Sequence, residues 1–356
     1  MIFTSFRNLK SRTRPVLLAL ALISLLTSSA CNGLLGKLAR KQVGVPQLLT
    51  PVVDADMSQL IAEVNRLALI KSLHAKLDIQ FQDTSFASSG IAEKYRSADA
   101  DVTVQRPGKV YLIIQFALVD IAQMSSDGEQ FRVALLKGDE KYRKFVKGTN
   151  NASYGELKAD GSQGKQNKEK KAAGEAVSTL SNLRPQHLTD ALLIKPILPA
   201  AESGLLYSES EFYEEEPDPR PGAKKGARVV RSYYLLEELA PAKSGEASLK
   251  RRLWFDRIGA IRLARVQTFD DRGLLDTDIT YSTYKVLGEG PTAMLPSRIE
   301  LTRPKDQYKL SLTYQAPEAV VIDKEWDPEV FVLRNKWQLP EVDLDAQKDT
   351  RAKTSP

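Results

Sequence analysis

The sequence predicts a mainly β fold with a few helices, an antiparallel α+β arrangement. Three observations carry that expectation. Apolar and polar residues alternate with a period of two over many segments, which is the pattern of a sheet with one buried and one wet face. The segments are joined by short polar connections. Only two stretches of the chain beyond its N-terminal region carry the 3.6-residue spacing of a helix.

The first helix is expected to begin at Met57. Asp56 is a suitable N-cap and Gln59, three residues on, completes a capping box. Met57, Leu60, Ile61, Val64, Leu67 and Ala68 then fall on one apolar stripe. From Leu73 the period changes to two. Leu77, Ile79 and Phe81 alternate with polar residues, as do Ala98, Ala100, Val102 and Val104. Arg106-Pro107-Gly108-Lys109 supplies a turn, and residues 110–116 return as an apolar strand. Further strands are expected at 131–136, 141–146, 209–215, 227–236, 248–255, 260–269, 276–286, 298–303 and 308–316. Connections such as Ser126-Asp127-Gly128 and Asp270-Asp271-Arg272-Gly273 make these a meander.

Two interruptions are visible. Residues 149–175 hold almost no large apolar side chain after Leu157 and are expected to form a mobile loop. Helical spacing follows over 176–195, with Pro185 read as a break within it. The run from Glu216 to Gly222 contains three prolines and is expected to be a long hairpin loop. Beyond Pro317 the chain passes through 323–333 into a polar tail after Pro340.

The N-terminus has the layout of an export signal. Arg7, Lys10, Arg12 and Arg14 precede an apolar run of eleven residues, 16–26, too short to span a bilayer as a mature helix. Thr27-Ser28-Ser29-Ala30 then lead directly to Cys31, the single cysteine of the chain. A small-residue site ending on cysteine resembles the lipobox of bacterial lipoproteins, with Ser28 in place of the usual leucine. That resemblance implies that the Cys31 thiol receives a diacylglycerol and becomes the first mature residue. An ordinary secreted protein with an incidental cysteine is the alternative. No intramolecular disulfide is available to one cysteine, so stability must come from the core.

The charge excludes some functions. The chain has 51 basic and 45 acidic residues, and removal of residues 1–30 leaves 47 against 45. A nearly neutral chain has no electrostatic footprint for nucleic acid. The two histidines, His74 and His187, have no second ligand at metal spacing and are read as structural or surface residues near the helices. There is no nucleophile elbow, Walker loop or dinucleotide fingerprint. Ser282-Thr283-Tyr284-Lys285 fits a Ser-x-x-Lys pattern, but its serine and lysine would project from opposite faces of a strand. Glu209, Glu211, Glu214, Glu215, Glu216 and Asp218 lack the glycine-bearing spacing of a calcium loop and read as a solvated strand. No catalytic residue, metal or cofactor is expected.

Three segments carry a family resemblance. The helix at 57, followed by a strand ending in Val104-Gln105-Arg106-Pro107-Gly108-Lys109, an apolar strand and Ser126-Asp127-Gly128-Glu129-Gln130-Phe131, resembles the LolA/LolB-like lipoprotein-localisation family. Trp254-Phe255-Asp256-Arg257-Ile258-Gly259-Ala260-Ile261 and Leu295-Pro296-Ser297-Arg298-Ile299-Glu300-Leu301 are similar to it as well. The resemblance spans about residues 56–316 and implies an incomplete antiparallel β-barrel of about 11 strands wrapped around lid helices. It further implies a cavity that accepts acyl chains. Cavity-lining candidates are Val102, Val104, Leu112, Ile114 and Phe131 on the first strands, and Trp254, Tyr308, Leu310, Leu312 and Tyr314 on the later ones. Arg106 matches the family's Arg-Pro, and its simplest reading is a charge flanking a turn.

The organisation expected is a signal peptide at 1–30, a lipidated tether at 31–55, a half-barrel at 56–320 and a C-terminal extension and tail at 321–356. Cys31 favours the membrane-anchored acceptor type over the soluble carrier, and Asn32 is not the aspartate associated with inner-membrane retention. The function expected is that of an outer-membrane-anchored lipoprotein, facing the periplasm, that binds acyl chains or another apolar ligand in lipoprotein transport or insertion. Its partners would be the membrane, through the lipid, and lipoprotein acyl chains. The alternative is an envelope assembly lipoprotein with a packed barrel that acts through protein contacts.

Overall fold

The computed structural model describes residues 45–84, 93–94, 97–138, 140, 143–150, 152, 183–241, 245–288, 294–316 and 319–346. The expected signal peptide, Cys31 and most of the 149–175 insertion lie outside the described residues. Contacts divide the chain into a unit ending at Gln47 and one beginning at Leu48. The second unit carries the fold.

Helix α1 is Met57–Ala68, and its N-terminus is closed by the capping box read from the sequence. The Asp56 carboxylate accepts from the Gln59 amide at 2.9 Å, and the Gln59 side chain accepts from the Asp56 amide at 3.0 Å. Two of the orphan donors of a helix start are satisfied in this way. Leu60, Val64 and Leu67 form its buried stripe.

The strands follow as β1 (Ser72–Asp83), β2 (Ala98–Gln105), β3 (Lys109–Phe116), β4 (Val119–Asp127), β5 (Gln130–Leu135) and β6 (Phe145–Thr149). Helix α2 (Pro185–Leu192) and a helical turn at Ala200–Ser203 lead to the second half. That half comprises β7 (Leu206–Pro217), β8 (Arg228–Pro241), β9 (Ala247–Asp256), β10 (Arg262–Phe269), β11 (Leu275–Val286), β12 (Met294–Arg303) and β13 (Tyr308–Tyr314). A short strand, β14 (Glu341–Asp343), comes last.

One sheet contains them all. From one edge it runs β7 to β13 in chain order, then β1 to β6, each pair antiparallel, and β14 joins β6 in parallel. Among the described residues β14 and β7 do not pair, so the sheet curls without closing. This is the mainly β, incomplete-barrel architecture. The first and last long strands meet at its middle, with Leu310 opposite Phe81 and Leu312 opposite Ile79.

Register sets the inner face. Ala75, Val102, Leu112, Met124, Val133 and Val146 are consecutive cross-strand partners on one row from β1 to β6. All are 3% exposed or less, so the row forms a continuous apolar wall. Ile79, Leu312, Ile299 and Tyr281 continue such a row the other way. Burial of each of these larger side chains is worth about 1.5–3 kcal/mol. The two helices cover this wall.

Several local readings are corrected. β4 lies in a stretch for which no strand was expected, and the strand expected at 141–146 is displaced to Phe145–Thr149. Of the helical spacing expected over 176–195, residues 176–182 lie outside the described residues; Pro185 occupies the first turn of α2, where its missing amide donor leaves no gap. Beyond residue 320 the chain crosses the outer face. The Asp323 amide donates to Ser72 O at 3.0 Å and the Leu333 amide to Ser125 Oγ at 3.1 Å. Phe331 is fully buried, and β14 forms within what reads as a polar tail because the Phe145 amide finds Pro340 O at 2.9 Å. Residues 49–53 are likewise pinned, through Leu49 N to Val230 O and Val53 N to Arg257 O, each 2.9 Å.

Candidate functional site

The inner face places most of the expected cavity residues together. Val102, Val104 and Leu112 on β2 and β3, Phe131 on β5, and Tyr308, Leu310 and Leu312 on β13 are all at most 1% exposed, and Ile114 and Tyr314 are 4% and 7% exposed. All nine belong to one apolar cluster that includes Leu60, Val64 and Leu67 of α1 and Leu188, Ala191 and Leu192 of α2.

Trp254 is a correction. It faces the opposite side of the sheet, packed with Tyr233 and Leu235. The cause is strand alternation: Leu253 and Phe255 are both fully buried on the inner side, so the residue between them must point outward.

Among the described residues, small voids lie along this apolar wall. One void of about 20 Å³ lies between the helix ends and β11–β13, beside Ile70, Ile194 and Tyr281. Another of about 10 Å³ lies beside Leu112, Met124 and Leu183. Each holds at most a water molecule. The occupant of the half-barrel is α2, of whose residues Pro185, His187, Leu188, Thr189, Ala191 and Leu192 are buried.

Polar groups hold the C-terminal end of that helix. Arg106 is half-buried at the turn after β2. Its Nε donates to Ile70 O at 3.0 Å, just beyond α1, and its Nη2 to Ile194 O at 2.7 Å, just beyond α2. One guanidinium thus satisfies carbonyls from both helix ends, which otherwise lack partners. Among the described residues no carboxylate is hydrogen-bonded to it, and burial pulls its pKa below the usual arginine value. The Tyr281 hydroxyl donates to Ala191 O at 3.2 Å. Past α2, Arg251 donates to Lys195 O at 2.9 Å while pairing with the buried Glu238 at 2.5 Å.

His187 is the internal anchor of α2. Its Nδ1 lies 2.5 Å from the Tyr308 hydroxyl, at the fully buried root of β13. Burial, reinforced by Arg303 and Arg184, holds the imidazole well below the ordinary histidine pKa. Burial also pushes the Tyr308 phenol up, so both rings are neutral. Sequence reasoning placed His187 near a helix and missed this contact; the only available signal was a histidine on the apolar stripe of 185–192. Likewise the Arg-Pro motif marked Arg106, but nothing in the sequence showed that both helix ends would converge on it.

Among the described residues no helix is long and apolar enough to cross a membrane. No family model and no curated protein matches the chain. Solved structures do show similarity. One is a LolA superfamily protein from Nitrosomonas europaea, with 12% identity, 78% of this chain and 99% of that chain covered, and a TM-score of 0.37. A second, a DUF1329 family protein from Desulfovibrio piger, gives 12% identity, coverages of 77% and 95%, and a TM-score of 0.38. A third is described as an outer membrane lipoprotein-sorting protein domain from Vibrio parahaemolyticus, with 13% identity, coverages of 78% and 96%, and a TM-score of 0.37.

Proposed function

We propose that this chain is a non-enzymatic, lipid-anchored envelope protein that takes an acyl chain, or a similar apolar ligand, onto the inner face of its half-barrel in place of helix α2. Anchoring would be through Cys31, with the outer membrane as the site and lipoprotein transfer as the setting. The observation that supports the reading is the way α2 is held. A short helix packs on the apolar inner face of the half-barrel, and its C-terminal end hangs on Arg106 and Tyr281.

Magnitudes allow the exchange. Removing Leu188, Leu192 and Ile194 from the wall forfeits about 6 kcal/mol, and the bonds at the helix ends add about 1 kcal/mol each. An acyl chain burying roughly fifteen methylenes gains about 12 kcal/mol. The ligand wins once it can enter. The experiment is titration of the purified full chain with a fluorescent fatty acid, together with mass spectrometry of co-purified lipid. Binding by wild type, and tighter binding by Arg106→Leu, would support the proposal; failure of both proteins to bind would sink it.

One observation favours a second reading. The inner face is packed down to voids of about 20 and 10 Å³. A protein whose barrel never opens would serve as a rigid assembly module acting through its loops and outer face. Absence of lipid binding together with a stable protein partner would select it.

A further inference from the structure

A larger concavity than these voids opens toward the other side of the sheet. A groove of about 600 Å³ lies where β10 and β11 part. Their ladder starts at the pair Arg265 and Thr280, so residues 262–264 and 281–284 have no partners across this gap. The Tyr284 hydroxyl spans it, donating to Leu263 O at 2.7 Å. Thr283, with φ of 55°, drops out of the β11–β12 ladder between Ser282 and Tyr284. The size lies in the ~300–1,000 Å³ range of small-ligand sites.

We propose that this fork is a binding groove for a short, uncharged oligosaccharide. Its walls carry Arg231, Arg262 and Arg265 against Glu214, Glu216 and Asp256, three charges of each sign. Such a rim presents no net field to draw in an anion or a cation. An apolar ligand would strip water from ionised groups without replacing its hydrogen bonds, which is unfavourable. Sugar hydroxyls donate and accept at once and so serve both sets.

The groove also has unspent capacity. Arg231 reaches Glu216 at 3.5 Å and Asp256 at 3.4 Å, both long, and its Nε–H is buried without an acceptor among the described residues. Beside these groups, Thr280 and Ser282 add hydroxyls, and Trp254 forms part of the wall. The Trp254 ring is held edge-on to Phe212 and Tyr233, with centroids 5.1 and 5.6 Å away, and its Nε1 is already engaged by Gln267 at 3.0 Å. Arg265 lies over the Trp254 ring, 5.2 Å from its centre, so the tryptophan gives the groove a fixed apolar margin and a sugar would be held mainly by hydrogen bonds to the guanidinium, carboxylate and hydroxyl groups. The groove shares Tyr281 with the wall of the inner void, but the proposal does not depend on the acyl-chain reading.

The test is calorimetric titration and saturation-transfer NMR of the full chain with chitotriose, maltotriose and cellotriose as probes. At least one should bind, with an accompanying change in tryptophan fluorescence. Ser282 is solvent-exposed, so Ser282→Trp should fill the groove without unfolding the protein, and Thr280→Val removes only a hydroxyl. The first should abolish sugar binding and the second should weaken it about tenfold, with fatty-acid titration unchanged in both. The proposal is overturned if none of the three sugars binds at ~10 mM, if Ser282→Trp binds as wild type does, or if a basic or acidic peptide occupies the groove instead.

Discussion

His187 and Tyr308 meet at 2.5 Å in the interior, and they join the helix that fills the half-barrel to the strand at its centre. Because both are buried and neutral, the contact depends on the imidazole staying unprotonated. Burial holds its pKa in the fold well below the ordinary histidine value. The unfolded chain therefore takes up this proton first as pH falls. The stabilising contribution is complete above about pH 6.5 and is lost progressively as pH drops toward the depressed folded value. Melting curves between about pH 7.5 and 5 should show this loss. In His187→Gln the slope should flatten, at the expense of some stability at neutral pH. An unchanged slope would show that other groups dominate the acid limb.

Arg106→Leu should destabilise the protein by about 2–4 kcal/mol, because it removes charge-assisted hydrogen bonds and leaves the carbonyls of Ile70 and Ile194 unpaired. Chemical denaturation measures this directly. Binding of a hydrophobic dye should rise in the same variant, since the helix ends come loose before the sheet does.

Phe331→Ala is expected to cost about 3–5 kcal/mol, as for other fully buried aromatics. Phe331 is 0% exposed, on a segment that lies over β3 and β4, with the Lys109 ammonium 5.8 Å from its ring centre. A thermal melt showing a loss below 1 kcal/mol would mean that the C-terminal extension is an appendage to the core.

Arg257 ties residues 49–55 to the barrel. It is 4% exposed, donates to Val53 O and Ser232 Oγ at 3.1 Å each, and stacks 4.1 Å from the Tyr234 ring centre. Arg257→Met should lower stability by about 2–4 kcal/mol and make the stretch 49–55 newly sensitive to limited proteolysis. Protection equal to wild type would refute the role.

The parts of the fold legible in the sequence are those decided by one local rule. Asp56 and Gln59 announced the start of α1, and clean alternation announced β1, β2 and β13, each wet on one face. β4 was not legible because Ala122 through Ser126 are all buried. The C-terminal segment covers its outer face, so Gln123 and Ser125 are buried there as polar residues and no period survives. Trp254 failed for a related reason: in Leu253-Trp254-Phe255 both faces are packed, and composition alone cannot say which one turns inward. Of the candidate site, the apolar wall could be read from periodicity. The clasp of Arg106 and the groove at Ser282 could not, because each is made by segments distant in sequence.

β1 sits between β2 and β13, so the strand that leads the sheet is completed by one more than two hundred residues later. A chain made N-terminus first must hold the apolar edge of β1 open until almost all of it has been synthesised. Such late, non-local closure slows folding and leaves the waiting segments prone to aggregation. The length of that wait is set by strand order rather than by any ligand.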